Sequence, residues 1–168
     1  EPPIFCIKLP VGGQNNPKNN GGNGMRVSEL MSRATVTVAP EDSVACAARL
    51  MDRHSVGALP VCSQDGRLRG IVTDRDIVVR CVAGDREPEH TPVKAVMSRH
   101  MLVVPPEADL REAALYMAQG QVRRLPVAEN GRLRGMLSLA DLGRLRSCDM
   151  ETARALAEIS LERRPGEG

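Results

Sequence analysis

At 168 residues the chain is long enough for one ordinary domain or two small ones. Its net charge of +2 excludes the broad basic field that nucleic acids and acidic membranes select, and no run of about eighteen apolar residues exists to span a bilayer. Phe5 and Tyr116 are the only aromatic residues, so the core must be aliphatic, and stacking platforms for single-stranded nucleic acid are lacking.

The chain opens on "IFCIKLP", an apolar run over 4–10 that fits an extra strand, a partner-binding segment or added residues. The start at Glu1, without Met, suggests processing or added residues, and no charged region followed by an apolar stretch marks a secretion signal. "GGQNNPKNNGGNG" from Gly12 to Gly24 has linker composition, so residues 1–24 are expected to form a flexible N-terminal segment. "RATVTV" at 33–38 is β-branched and closed by Pro40, which predicts a short strand. Glu41-Asp42-Ser43 then signals a helix start with Asp42 or Ser43 as cap, and Val44, Ala47, Ala48 and Met51 follow at helical spacing. "GALPV" at 57–61 and "RLRGIVT" at 67–73 read as strands joined through Asp65-Gly66, a strong hairpin signal. "DRDIVVRCVAG" at 74–84 reads as a helix ended by Gly84.

The same order then recurs. "VSELMS" at 27–32 returns as "VKAVMS" at 93–98, and "VTVAPEDSV" at 36–44 as "LVVPPEADL" at 102–110. "VGALPV" at 56–61 returns as "VRRLPV" at 122–127, again 66 positions on, whereas "GRLRG" at 66–70 returns at 131–135, one position short of that spacing. In the second copy "MLVVP" is the opening strand, Asp109 caps a helix carrying Leu110, Ala113, Ala114 and Met117, and Asn130-Gly131 turns "RRLPV" into "RLRGMLS". A copy of roughly 55 residues is too small to bury much core alone, so the two should pack on each other. Each is expected to form a mixed three-stranded sheet with helices on one face, an α+β fold. The copies span 25–85 and 86–148, linked through "AGDREPEHTP" at 83–92. Beyond them, Met150, Ala153, Leu156, Ala157 and Ile159 form one stripe, with Asp149 as cap and Pro165-Gly166 as stop. This predicts a C-terminal helix and tail over 149–168 that covers the module or joins two chains.

The sequence offers no catalytic constellation: no phosphate loop, no nucleophile elbow and no metal cluster. His54, His90 and His100 are far apart, and Cys6, Cys46, Cys62, Cys81 and Cys148 form no C-x-x-C pair, so no metal site is expected. Cys46, Cys62 and Cys81 lie in apolar runs and read as small core residues. An odd count without a secretion signal suggests a reducing, cytoplasmic setting, with a disulfide at Cys46 or Cys62 left open.

The informative spacing is Thr73-x-x-Asp76, repeated as Ser138-x-x-Asp141, at a strand-to-helix junction. A carboxylate there can accept two hydrogen bonds from the cis-diol of a ribose, while the first-turn N–H groups attract phosphate. The same spacing is a capping box, with Thr73 and Ser138 as N-caps. A cap can also contact a ligand, so both readings stand. The arginines of "GRLRG" (Arg67, Arg69, Arg132 and Arg134) alternate with Leu and should line one strand face, exposed or in a subunit contact.

These landmarks, in order and twice over, resemble the CBS domain, the regulatory unit named after cystathionine β-synthase. They are Met31-Ser32, Thr37–Pro40, Leu59-Pro60-Val61 and Gly70–Asp76, then Met97-Ser98, Val103–Pro106, Leu125-Pro126-Val127 and Gly135–Asp141. The resemblance covers about residues 25–148, and "VTDRDIVVR" is similar to stand-alone bacterial proteins of this family. It implies two β-α-β-β-α repeats packed about a pseudo-twofold axis as a Bateman module, with two clefts that commonly take AMP, ADP, ATP or S-adenosylmethionine. The implied function is a non-catalytic nucleotide sensor with no required cofactor, a homodimer acting on a separate protein partner. The alternative is a ligand-free structural or stress-response interaction protein with the same fold.

By resemblance, each aspartate pairs with the other copy's purine slot. Thr73 and Asp76 would work with Met101, Leu102, Val122 and Arg123, and Ser138 and Asp141 with Thr35, Val36, Val56 and Gly57. Arg75, Arg123 and Arg124 give the Asp76 cleft cations for a phosphate chain. The other cleft has Gly57, Ala58 and Ala140 at the corresponding positions, so the Asp76 cleft should fill first.

Overall fold

Two hairpins, each built on one copy of the repeated sequence, organise the chain. The computed structural model describes residues 6–8 and 24–144. The expected C-terminal helix and most of the N-terminal segment lie outside them. Among the described residues six strands and five helices run β1 (Cys6–Lys8), α1 (Val27–Leu30), α2 (Val44–His54), β2 (Ala58–Cys62), β3 (Leu68–Thr73), α3 (Asp74–Asp76), β4 (Met101–Val103), α4 (Leu110–Gly120), β5 (Arg124–Glu129), β6 (Arg132–Ser138) and α5 (Leu139–Gly143). A π-helical stretch, Ile77–Val82, continues α3, and a 3-10 turn at Val93–Ala95 opens the second copy. The described chain forms two compact units: 6–7 with Ala34–Met101 and Ala128–Leu133, and 8 and 24–33 with Leu102–Val127 and 134–144.

In the first unit α2 begins at Ser43, whose hydroxyl accepts the Cys46 N–H at 3.1 Å. Asp42, the other cap candidate, accepts the Ala39 N–H instead, at 2.8 Å. Val44, Ala47 and Met51 turn into the core, whereas Ala48, expected on the same stripe, is exposed. Strands β2 and β3 pair antiparallel from Ala58↔Thr73 to Val61↔Gly70, then slip by a bulge to Cys62↔Leu68. Val38 joins this hairpin through one parallel bridge to Val61, its N–H donating to the Pro60 carbonyl at 3.1 Å. The strand expected over 33–38 thus narrows to a single bridge. The next rung back would require an N–H from Pro60, which has none. The second unit shows the same limit, with Val104 bridging Val127 beside Pro126. The residues before Val104 form β4, which pairs with β1.

The second unit holds α4, with the Asp109 carboxylate accepting the Arg111 N–H at 2.8 Å. Its four expected core residues, Leu110, Ala113, Ala114 and Met117, are all buried. Asn130 and Gly131 both have positive φ (52 and 78), the two-residue turn that suits a tight hairpin. The first hairpin instead closes over a longer loop, with the Gly66 N–H on the Ser63 carbonyl at 2.8 Å and φ of 77 at Gly66. The one-residue offset between the repeats is therefore a change of turn.

The leading segments change places. Val93, Val96 and Met97, from the start of the second copy, are buried with Val44, Ala47 and Val72 of the first. Val27, from the start of the first copy, is buried with Leu110, Ala113 and Leu137 of the second. The hydrogen bonds match. The Val93 N–H donates to Asp42 O at 2.8 Å and the Val27 N–H to Ala108 O at 2.9 Å. Ser98 exchanges two backbone bonds with Ile71 (3.0 and 2.8 Å), and Ser32 does so with Met136 (2.9 and 3.0 Å). A Cβ on Gly70 would stand 2.7 Å from the Ser98 carbonyl, and one on Gly135 would stand 2.5 Å from that of Ser32. The second glycine of "GRLRG" is where this segment arrives.

The first part of that motif pairs with its own repeat. The Leu68 N–H donates to Gly131 O at 2.9 Å and the Leu133 N–H to Gly66 O at 3.3 Å, which sets Arg67 opposite Arg132. Like charges placed so repel. Asp65 offsets them, its carboxylate 3.2 Å from Arg67 Nε and its backbone carbonyl accepting from Arg132 Nη1 at 2.7 Å. Arg67, Arg132 and Arg134 are exposed, as expected, and Arg69 is half-buried.

The helix after β3 departs from its expected end. Its π turn places the Ala83 N–H on Val78 O at 2.9 Å, and the extra residue moves the left-handed position from Gly84 to Asp85 (φ 52). Gly84 is needed for closeness instead, since a Cβ there would lie 2.9 Å from Arg80 O. The linker at 83–92 is also ordered by work at α2, where Thr91 O and Pro88 O accept the N–H groups of Val44 (2.8 Å) and Ala45 (3.1 Å). Cys81 is buried while Cys46 and Cys62 are half-buried, and all three thiols are free. Among the described residues no helix is long and apolar enough to cross a membrane.

Candidate functional site

Each hairpin's return strand ends on a hydroxyl residue that caps the following helix. At Thr73 the backbone is extended (φ −114, ψ 162), and the hydroxyl accepts the Asp76 N–H at 3.1 Å. Asp76 answers with one oxygen: Oδ2 accepts both the Thr73 N–H (3.0 Å) and the Thr73 hydroxyl (2.8 Å). The capping-box reading is therefore realised in full. The second junction repeats it, with Asp141 Oδ2 accepting the Ser138 N–H at 3.0 Å together with its hydroxyl, and the Ser138 hydroxyl accepting the Asp141 N–H at 3.2 Å.

In both carboxylates Oδ1 is left for other work. It lies 3.6 Å from Arg80 Nη1 at the first junction and 3.5 Å from Arg144 Nη1 at the second. An ionised carboxylate offers about four lone-pair sites. Two are occupied by the cap, so Oδ1 retains capacity for hydroxyl donors such as a diol. The carboxylates are mostly shielded, Asp76 at 14% exposure and Asp141 at 24%. Shielding strengthens any hydrogen bond they accept.

The two arginines differ. Arg80 Nη1 also donates to Val96 O (2.8 Å) and Met97 O (3.2 Å), the end of the exchanged segment. It thus links Asp76 to that segment inside the first unit. Arg144 is 79% exposed. Sequence reading missed the Arg80 tie. The signal available was its i,i+4 spacing from Asp76, ordinarily read as a weak surface pair.

The other candidate residues fall into place unit by unit. In the first, the Gly57 carbonyl accepts the Asp74 N–H at 3.1 Å, and a Cβ on Gly57 would stand 3.0 Å from the Asp74 carboxylate. Gly57 is thus brought to the Thr73 junction. Thr35 is half-buried, and Val36 and Val56 are half-buried against the same core. In the second, the Arg123 carbonyl accepts the Leu139 N–H at 2.9 Å, which sets Arg123 beside Ser138. Leu102 and Val122 pack on that unit's core. Met101 is buried, while Arg75, Arg123 and Arg124 are exposed and make no side-chain ion pair among the described residues. No group of three or more His, Cys, Asp or Glu suited to a metal occurs among the described residues.

Comparison with known proteins agrees with this architecture. The chain is 40% identical over 134 residues to the CBS domain-containing protein YhcV of Bacillus subtilis, covering 80% of this chain and 94% of that one. The crystal structure of Hypoxic Response Protein I with two coordinated zinc ions superposes with a TM-score of 0.67 at 32% identity, over 71% of this chain and 98% of that one. The CBS domain pair of protein MJ0100, solved with 5′-methylthioadenosine and S-adenosyl-L-methionine, shares the fold at a TM-score of 0.66 and 22% identity, over 74% of this chain and 97% of that one. The CBS domain family matches residues 27–82 and 93–146. With both copies matched, and each closed by the same capped junction, the chain belongs to the CBS-domain family and carries two such domains in tandem.

Proposed function

We propose that this protein is a non-catalytic sensor of an adenosyl nucleotide: AMP, ADP, ATP or S-adenosylmethionine. One observation carries the reading. Asp76 and Asp141 are each held rigid by a capping box that uses Oδ2 and leaves Oδ1 with acceptor capacity. A pre-positioned carboxylate is what a ribose diol requires. In this reading Thr73 with Asp76, and Ser138 with Asp141, hold the sugars. Met101, Leu102, Val122, Thr35, Val36, Val56 and Gly57 supply purine walls, and Arg75, Arg123 and Arg124 meet the phosphates. The complex of MJ0100 with two adenosyl compounds supports the ligand class. The proposed setting is cytoplasmic, as a homodimer whose output falls on a separate protein.

A second reading has its own observation. Arg80 and Arg144 already neutralise the two Oδ1 atoms, which suits a ligand-free interaction protein with the CBS fold.

Titration calorimetry with AMP, ADP, ATP, S-adenosylmethionine and NAD separates the two. The sensor reading expects saturable binding of at least one adenosyl compound, weakened about tenfold or more by Asp76→Asn. Asn keeps an acceptor for the Thr73 N–H, so circular dichroism should show the fold retained. No heat from any of the five with folded protein leaves the interaction protein as the function.

A further inference from the structure

We infer that a groove at the other end of strand β3 is a second ligand site, taking a small organic molecule that carries a phosphate group. The groove has a volume of about 830 Å³ and is lined wholly within the first unit. That volume is typical of small-molecule sites. Arg69 lines it, four residues before Thr73 on the same strand, so roughly 13 Å separates the groove from the capped junction.

Charge singles this groove out. Three carboxylates line the groove, and each is engaged by the protein itself. Glu41 pairs with Lys94 at 2.7 Å. Asp42 accepts the Ala39 N–H at 2.8 Å. Asp65 accepts the Ser63 hydroxyl at 2.6 Å and lies 3.2 Å from Arg67. The two guanidinium groups are not so matched. Arg69 donates only its Nε, to Ser63 Oγ at 3.1 Å, which fixes the side chain and leaves both Nη groups without a partner among the described residues. Arg99 makes no ion pair or side-chain hydrogen bond among the described residues. Both arginines are half-buried.

Partly desolvated cations without a paired carboxylate are costly, and an incoming anion that ion-pairs with both would recover part of that cost. Two forked guanidiniums fit the three oxygens of a phosphate better than the two of a carboxylate. Pro40 and Met97 add an apolar wall for the organic part. The site stands whether or not Asp76 holds a ribose.

The test is nitrogen-15 NMR of the full chain titrated with glycerol 2-phosphate, with glycerate as the carboxylate comparison. Saturable shifts are expected at Ala39, Gln64, Met97 and Arg99. Arg69→Gln with Arg99→Gln should weaken binding by roughly a hundredfold. Thermal melts establish that the double variant is folded, and Arg99→Gln alone gives a milder form with about a tenfold loss if it is not. Absence of saturation, shifts confined to Thr73–Asp76, shifts that survive in a folded arginine variant, or equal binding of glycerate would each overturn the proposal.

Discussion

Tyr116 is the chain's one tyrosine, and no tryptophan obscures its absorbance. Burial raises its phenol from 10.0 to about 12, and the Glu112 carboxylate that accepts its proton adds to the shift. A folded value above the unfolded one stabilises the fold fully below the unfolded value and ceases to do so as pH rises through the folded one. Ultraviolet titration at the phenolate band should therefore give a midpoint near 12 in buffer and near 10 in denaturant. A native midpoint near 10 would refute the half-buried Glu112 contact. Cys62 behaves similarly: burial pushes its thiol up to about 11. It should alkylate slowly at neutral pH and rapidly only above about pH 10, or after unfolding, as peptide mapping after iodoacetamide would show. At this scale the sequence was legible where chemistry is local. The Thr73–Asp76 and Ser138–Asp141 boxes were readable from a three-residue spacing because both partners sit in one turn. The Arg80 link to Val96 and Met97 was not, because its acceptors are backbone atoms brought from sixteen and seventeen residues on.

At the scale of elements, turns and close approaches decide more than propensity. Gly131 sits at φ 78, where an alanine is strained by about 1 kcal/mol. Gly135→Ala should cost more, about 2 kcal/mol or above, because its Cβ would meet the Ser32 backbone rather than a movable side chain. Gly70→Ala should behave alike against Ser98. Urea unfolding of the three variants checks the order, and Gly131→Ala proving the most harmful would contradict the exchanged-segment packing. The hairpins were legible from Asp65-Gly66 and Asn130-Gly131. The opening strand over 33–38 was not. Its β-branched run promised a ladder, but the partner's Pro60 withholds the N–H that a further rung requires.

For the whole molecule the exchanged segments set the folding unit. The first copy cut at its sequence boundary, 25–85, lacks Val93, Val96 and Met97, which complete its core. That fragment should give a poorly dispersed amide spectrum, while the intact chain is dispersed and unfolds cooperatively. A folded fragment would show that those three residues are dispensable.

The repeat, the family, the capped aspartates and the hairpin turns all came from the sequence itself, because each depends on residues a few positions apart or on self-similarity. Only the tertiary structure revealed which copy's leading segment fills which core, why "GRLRG" needs its second glycine, and that Arg69 and Arg99 share one groove. Those facts rest on backbone atoms brought together across the chain, and residue spacing carries no record of them.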